Sequence, residues 1–143
     1  MAPGDLMPHL VKLHGWLTSC ASTFAMRVAL EVFRTNDLAA HRPWYVRQRA
    51  GALAALRATG LQYVEPEGGF YACVRVGEAS LDTLAFAEAL IALRDVVAIP
   101  ADIFSPILAG WLRTSFVCEI AQLDEGFARI ASLAAERATL ATR

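Results

Sequence analysis

Residues 96–116 read Val-Val-Ala-Ile-Pro-Ala-Asp-Ile-Phe-Ser-Pro-Ile-Leu-Ala-Gly-Trp-Leu-Arg-Thr-Ser-Phe. Two short apolar runs, Val96 to Ile99 and Trp111 to Val117, flank a loop that holds prolines and a glycine. Short apolar runs bounded by such breakers read as strands. The second run carries one charge, Arg113, between apolar or small neighbours. A guanidinium does not deprotonate, so an arginine in a strand needs an anionic partner or a route to water.

The elements around this stretch can be read in chain order. Residues 1–8 contain prolines and a glycine and form a loose lead-in. From Leu10 to Arg34 the pattern turns helical, with Ala21, Phe24, Ala25, Val28 and Val32 on one apolar face. Thr18, Ser19 and Ser22 are cap residues, so a break is expected between Gly15 and Ser19, and Asn36-Asp37 ends the segment. A second helix starts near Pro43, buries Trp44, Val46, Ala50, Leu53 and Leu56, and stops at Gly60. Arg42, Arg47, Arg49 and Arg57 form its solvated face. Leu61 to Val64 and Phe70 to Val76 are strands joined by Glu65-Pro66-Glu67-Gly68-Gly69. Ser80 or Asp82 caps a helix that turns Phe86, Leu90 and Leu93 inward. After the two strands of residues 96–117, a last helix covers Leu123 to Ala138 with Phe127, Ile130 and Ala134 inward. Helix, helix, strand, strand, helix, strand, strand, helix implies an α+β fold, a small antiparallel or mixed sheet covered by helices.

Composition excludes several classes of function. A chain of 143 residues, 56% hydrophobic, is long enough for one domain with a buried core. A net charge of −1 with scattered arginines leaves no basic footprint for nucleic acid. No apolar window of about 18 residues is free of charge, which argues against a membrane-spanning helix. The N-terminus has no basic segment followed by an apolar run, so no secretory signal is expected. Cys20, Cys73 and Cys118 lack the paired spacing of a zinc site and read as buried, reduced thiols of a cytoplasmic protein. His9, His14 and His41 have no ligand spacing. Cys20 and His14 could be written as nucleophile and base, but no third group orients them.

Several segments, taken in order, resemble the C-terminal small domain of the class I and II aminotransferases, fold type I enzymes that use pyridoxal phosphate. Lys12 to Phe33 is similar to the helix segment after the family's cofactor-lysine region. Glu65 to Tyr71 resembles its proline, glycine-glycine and aromatic turn. Val96 to Pro100 with Phe104 resembles the strand and loop that return toward the active site. Gly110-Trp111-Leu112-Arg113-Thr114-Ser115-Phe116 is similar to the strand that carries the substrate arginine, and Leu123 to Ile130 to the closing helix. The resemblance implies residues 1–36 as an interdomain-type helix and residues 37–143 as the small domain. It implies a homodimer, and a reaction that moves an amino group between an amino acid and a 2-oxo acid.

Under that resemblance Arg113 grips the α-carboxylate of the substrate. A planar guanidinium can hold a carboxylate through two parallel charge-assisted bonds, which fixes orientation as well as affinity. Without it, Arg113 reads as a strand-edge arginine paired with Glu119 or another surface acid. The loop departs from the family, with Ala101 and Ser105 where glycines are usual, then Pro106, Ile107 and Leu108. Met26 stands where the family often has glutamine.

The resemblance also implies a large domain preceding residue 1, which supplies the Schiff-base lysine and the groups that hold the cofactor. Lys12, the only lysine, lacks the serine before and the arginine after it that mark the family's lysine, and fits a surface position on the helix. The chain by itself is then expected to be inactive. The alternative is a free-standing, non-catalytic binding or assembly module derived from such a domain, associating through the apolar face of residues 10–34.

Overall fold

The structure, a computed structural model, describes residues 3–35 and 38–141. Asn36 and Asp37, expected to end the first helical segment, lie outside the described residues. The chain divides into two compact units, Met1–Ala40 and His41–Arg143.

In the first unit, the expected helical segment is two helices, α1 (Met7–Thr18) and α2 (Thr23–Thr35). α1 starts ahead of Leu10 because Pro8 falls in its first turn, where the missing N–H has no helical partner to lose. Gly15 stays helical, and the break comes at Ser19, whose φ of 54° lies in the left-handed region. Its N–H closes the helix on the Gly15 carbonyl at 2.9 Å. Thr18 does not cap α2; its hydroxyl donates back to the His14 carbonyl at 2.7 Å. The apolar face of α2 is present, but neither helix buries a residue. Phe24, Val28 and Val32 are exposed, as are Trp16 and Leu17 of α1.

The second unit is an α+β layer. α3 runs from Leu38 to Thr59, so Pro43 sits inside the helix, not at its start. The apolar residues expected along it divide: Leu53 and Leu56 are buried, together with Gln48, Ala52 and Ala55, while Trp44, Val46 and Ala50 are exposed. The helix stops at Gly60 as expected, with φ at +70°. Strands β1 (Tyr63–Val64), β2 (Tyr71–Arg75), β3 (Ile99–Pro100) and β4 (Trp111–Ser115) form one antiparallel sheet in the order β1-β2-β4-β3. α4 (Thr83–Arg94) connects β2 to β3, and α5 (Ile120–Ala141) closes the chain.

Asp82, not Ser80, caps α4, its Oδ1 accepting the Ala85 N–H at 3.0 Å. Asp82→Ala removes that acceptor and is expected to lower stability by about 1 kcal/mol in a urea titration. Phe86 and Leu90 face inward as read from the sequence, but Leu93 is 58% exposed.

One face of the sheet carries Ala72, Val74, Leu112 and Thr114. It packs with Leu56 of α3, Phe86 and Leu90 of α4, and Leu123, Phe127, Ile130 and Leu133 of α5. Each fully buried leucine or phenylalanine contributes about 1.5–3 kcal/mol. Because side chains alternate along a strand, the intervening residues point the other way. That second face holds Cys73 and Arg75 of β2, Arg113 of β4 and Ile99 of β3.

Candidate functional site

The side chain that most needs explanation is Arg113. β4 lies between β2 and β3, and Arg113 stands opposite Cys73 on one side and Ile99 on the other. It is therefore on an inner strand, not at a sheet edge, and it points away from the packed core. Its guanidinium carbon lies 4.2 Å from the centroid of the Tyr71 ring and 4.4 Å from that of Phe104. Tyr71 lies two residues from Cys73 on the same face of β2, and Phe104 closes the first of two 3-10 turns, Ala101–Ile103 and Pro106–Leu108. Two π faces attract the cation, by about 0.5–2 kcal/mol each.

Among the described residues no acid pairs with Arg113. The other arginines that form ion pairs do so with glutamates: Arg49 and Arg57 with Glu65, Arg75 with Glu78, Arg94 with Glu136, Arg129 with Glu125. Among the described residues Arg113 makes no ion pair and no hydrogen bond, and its Nε is buried without a partner. Glu119, the acid that a surface reading would assign to it, does not reach it. A buried guanidinium N–H left unmade is costly unless a ligand completes it.

The start of β4 is clamped. Gly110 donates its N–H to the Thr83 hydroxyl at 3.0 Å. Its carbonyl accepts from Val76 at 2.9 Å and from Gly77 at 3.3 Å. These bonds set β4 against β2, and with it the position of Arg113. Further along, Thr114 donates to the Ala72 carbonyl at 3.1 Å from the core side.

At positions 101 and 105 the loop that precedes β4 does not need glycine. Ala101 is helical and buried, and Ser105 is extended with φ at −164°. Neither lies in the left-handed region, so alanine and serine are accommodated without strain.

The remaining sequence candidates are not brought together. Cys20 is exposed, contrary to the expectation of three buried thiols, and neither helix that flanks it buries a residue; Cys73 and Cys118 are half-buried, and all three are free. The ring of His14 meets Thr18, not Cys20. Burial pushes the Cys118 thiol up, with a smaller contribution from Glu119, which keeps it protonated and a poor nucleophile. Cys118 lines a cleft of about 240 Å³ with Val96, Thr114, Leu123, Phe127 and Ile130, and this cleft contains none of Arg113, Tyr71 and Phe104. No metal-ligating cluster and no helix long and apolar enough to cross a membrane occur among the described residues.

What sequence reasoning missed is the aromatic sandwich. Tyr71 and Phe104 were visible as motif residues, yet only the alternation of β2 and the fold-back of residues 101–108 bring them onto one guanidinium.

A four-stranded antiparallel sheet, with helices on one face and on the other an arginine that has no ion-pair partner among the described residues, defines an α+β domain. Residues 6–130 match the family model for aminotransferase class I and II. The chain belongs to the class I and II aminotransferase family. It is 30% identical over 131 residues to a probable N-acetyl-LL-diaminopimelate aminotransferase of Bacillus subtilis, covering 90% of this chain and 33% of that protein. It is 33% identical over 139 residues to an arginine–pyruvate transaminase of Pseudomonas aeruginosa, covering 95% and 35%. The aspartate aminotransferase structure from Thermotoga maritima superposes with a TM-score of 0.72 at 29% identity, over 85% of this chain and 31% of that one. The chain thus spans about a third of the length of the curated relatives it matches.

Pyridoxal phosphate is the cofactor that the family implies, and the residues present do not build its site. Lys12 is the single lysine and stands exposed on α1, with no carboxylate paired to it among the described residues.

Proposed function

We propose that this chain is the substrate-carboxylate-binding part of a pyridoxal-phosphate-dependent aminotransferase. In this reading the reaction transfers an amino group between an amino acid and a 2-oxo acid. Arg113 grips the α-carboxylate, and Tyr71 and Phe104 hold the guanidinium plane so that the carboxylate meets it edge-on. Orientation matters because two parallel bonds to one carboxylate fix where the substrate's reacting carbon stands. The observation that carries the reading is the Arg113 guanidinium, over the rings of Tyr71 and Phe104 with its Nε buried and unbonded. The cofactor lysine and the groups that hold the phosphate are supplied by sequence beyond this chain, which acts only together with it. In the enzyme assembled with that cofactor-carrying part, Arg113→Ala is expected to raise KM for the amino donor about a hundredfold. An unchanged KM sinks the carboxylate role.

A second reading, a non-catalytic assembly module, is favoured by the exposed Trp16, Leu17, Phe24 and Phe33 of the first unit. An apolar surface of this kind calls for a cover. The module reading expects self-association of the 143-residue chain in sedimentation velocity. A clean monomer at micromolar concentration overturns it, and leaves that surface to the cofactor-carrying part of the enzyme.

A further inference from the structure

We propose that Phe70 is a positioning residue for the Arg113 guanidinium, acting through the Tyr71 ring. Its value to the reaction rests on Arg113 being the carboxylate clamp. The proposal concerns how that side chain is held, and the rest of the substrate site does not enter it.

The three side chains form a row. The ring centroids of Phe70 and Tyr71 lie 4.4 Å apart with the planes tilted at 45°, and the Arg113 guanidinium carbon lies over the Tyr71 ring at 4.2 Å. Little else fixes that middle ring. Pairing with Ser115 sets the Tyr71 backbone, but its side chain is half-exposed and lies outside the packed core. Among the described residues its hydroxyl makes no hydrogen bond. Two χ1 rotamers are common for a strand residue, and an exposed side chain exchanges between them within picoseconds to nanoseconds. A second ring packed against Tyr71 favours one of them, because tilted aromatic pairs attract beyond the area they bury. Tyr71 then stays over the guanidinium for longer, and the cation is ordered in turn.

The turn before β2 explains why the two rings meet. Consecutive side chains of a regular strand point to opposite faces, so neighbouring rings diverge. β2 begins only at Tyr71, and Gly69 just ahead of Phe70 has φ of +71°, which glycine adopts without strain. The turn is anchored at both ends. Arg49 of α3 donates through Nε to the Pro66 carbonyl at 2.7 Å and through Nη2 to Glu65 at 2.9 Å. At the other end the Phe70 carbonyl accepts the Phe116 N–H at 3.0 Å. None of these bonds uses the Phe70 ring, which is 42% exposed and not part of the core. The ring can therefore be removed with the fold intact.

The test follows the Arg113 Nε–H in the 15N-labelled 143-residue chain. Its resonance is assigned by its loss in Arg113→Lys. The order parameter of this N–H is expected at about 0.8 in the parent chain and below about 0.6 in Phe70→Ala. Phe70→Tyr, which keeps a ring, is expected to restore it. Leu84→Ala, which trims an exposed side chain of α4, is expected to leave it unchanged. An order parameter in Phe70→Ala equal to the parent's overturns the positioning role, and so does an equal fall in Leu84→Ala. In the enzyme assembled with its cofactor-carrying part, a clamp competent for about a third of the time weakens donor binding about threefold. Phe70→Ala is expected to raise KM for the amino donor by that factor, and Phe70→Tyr to reverse the rise. An unchanged KM in Phe70→Ala overturns the role in the reaction. If Arg113→Ala itself leaves KM unchanged, the clamp fails, while a fall in the order parameter still shows Phe70 ordering Arg113.

Discussion

Gly110→Ala is expected to destabilise the second unit by about 3 kcal/mol, the sum of a backbone and a steric cost. Gly110 adopts φ of +80°, a region that side-chain-bearing residues enter at a cost of about 1–2 kcal/mol. A Cβ there would lie 2.5 Å from the Gly77 carbonyl oxygen and 2.6 Å from that of Glu78. Both contacts are with backbone, which cannot rotate out of the way, so the β2–α4 connection or β4 must shift. Either shift disturbs the bonds from Val76 and Gly77 to the Gly110 carbonyl that hold the strand's register. Denaturant unfolding measures the loss. A change below about 0.5 kcal/mol, typical of an unconstrained surface position, would show that this clamp is not tight. Thr83→Val gives a second reading of the same joint. It keeps the shape but leaves the buried Gly110 N–H without its acceptor, at a cost of about 1–3 kcal/mol.

The Arg113 series separates charge from shape. Arg113→Ala removes the charge and both stacking contacts, and its effect belongs in KM for the donor. Arg113→Lys keeps the charge but loses the planar fork and the stacking on Tyr71 and Phe104. In the assembled enzyme it is expected to recover no more than about a tenth of kcat/KM, because a point charge fixes the carboxylate in distance but not in orientation. Full recovery would mean that only charge matters, and that the aromatic sandwich has no role in positioning.

Much of the fold was legible because local rules and tertiary packing agree in the second unit. The apolar run from Trp111 to Val117 was read as a strand and contains β4, Trp111–Ser115. Asp82 was a cap candidate and is the cap. Phe127, Ile130 and Ala134 were placed inward at helical spacing and are buried. α3 was misread where two rules competed. Pro43 is a strong start signal, but the helix begins at Leu38 and carries the proline inside it. The buried face of that helix then follows from what meets α5 and the sheet, and Gln48 takes the place assigned to Trp44 and Val46. In the first unit the periodicity of α2 was right, but periodicity reports only which residues share a face, not whether anything covers it.

For the site, the sequence by itself determined that a permanent cation stands in a strand among apolar neighbours and must be answered by an anion or by water. It could not tell an internal partner such as Glu119 from an external ligand, because that depends on distances between residues remote along the chain. The tertiary structure leaves Arg113 without an internal partner among the described residues. Inserting β4 between β2 and β3 turns Arg113 away from the core and beyond the reach of Glu119. The same packing brings the rings of Tyr71 and Phe104 to 4.2 and 4.4 Å from its guanidinium carbon.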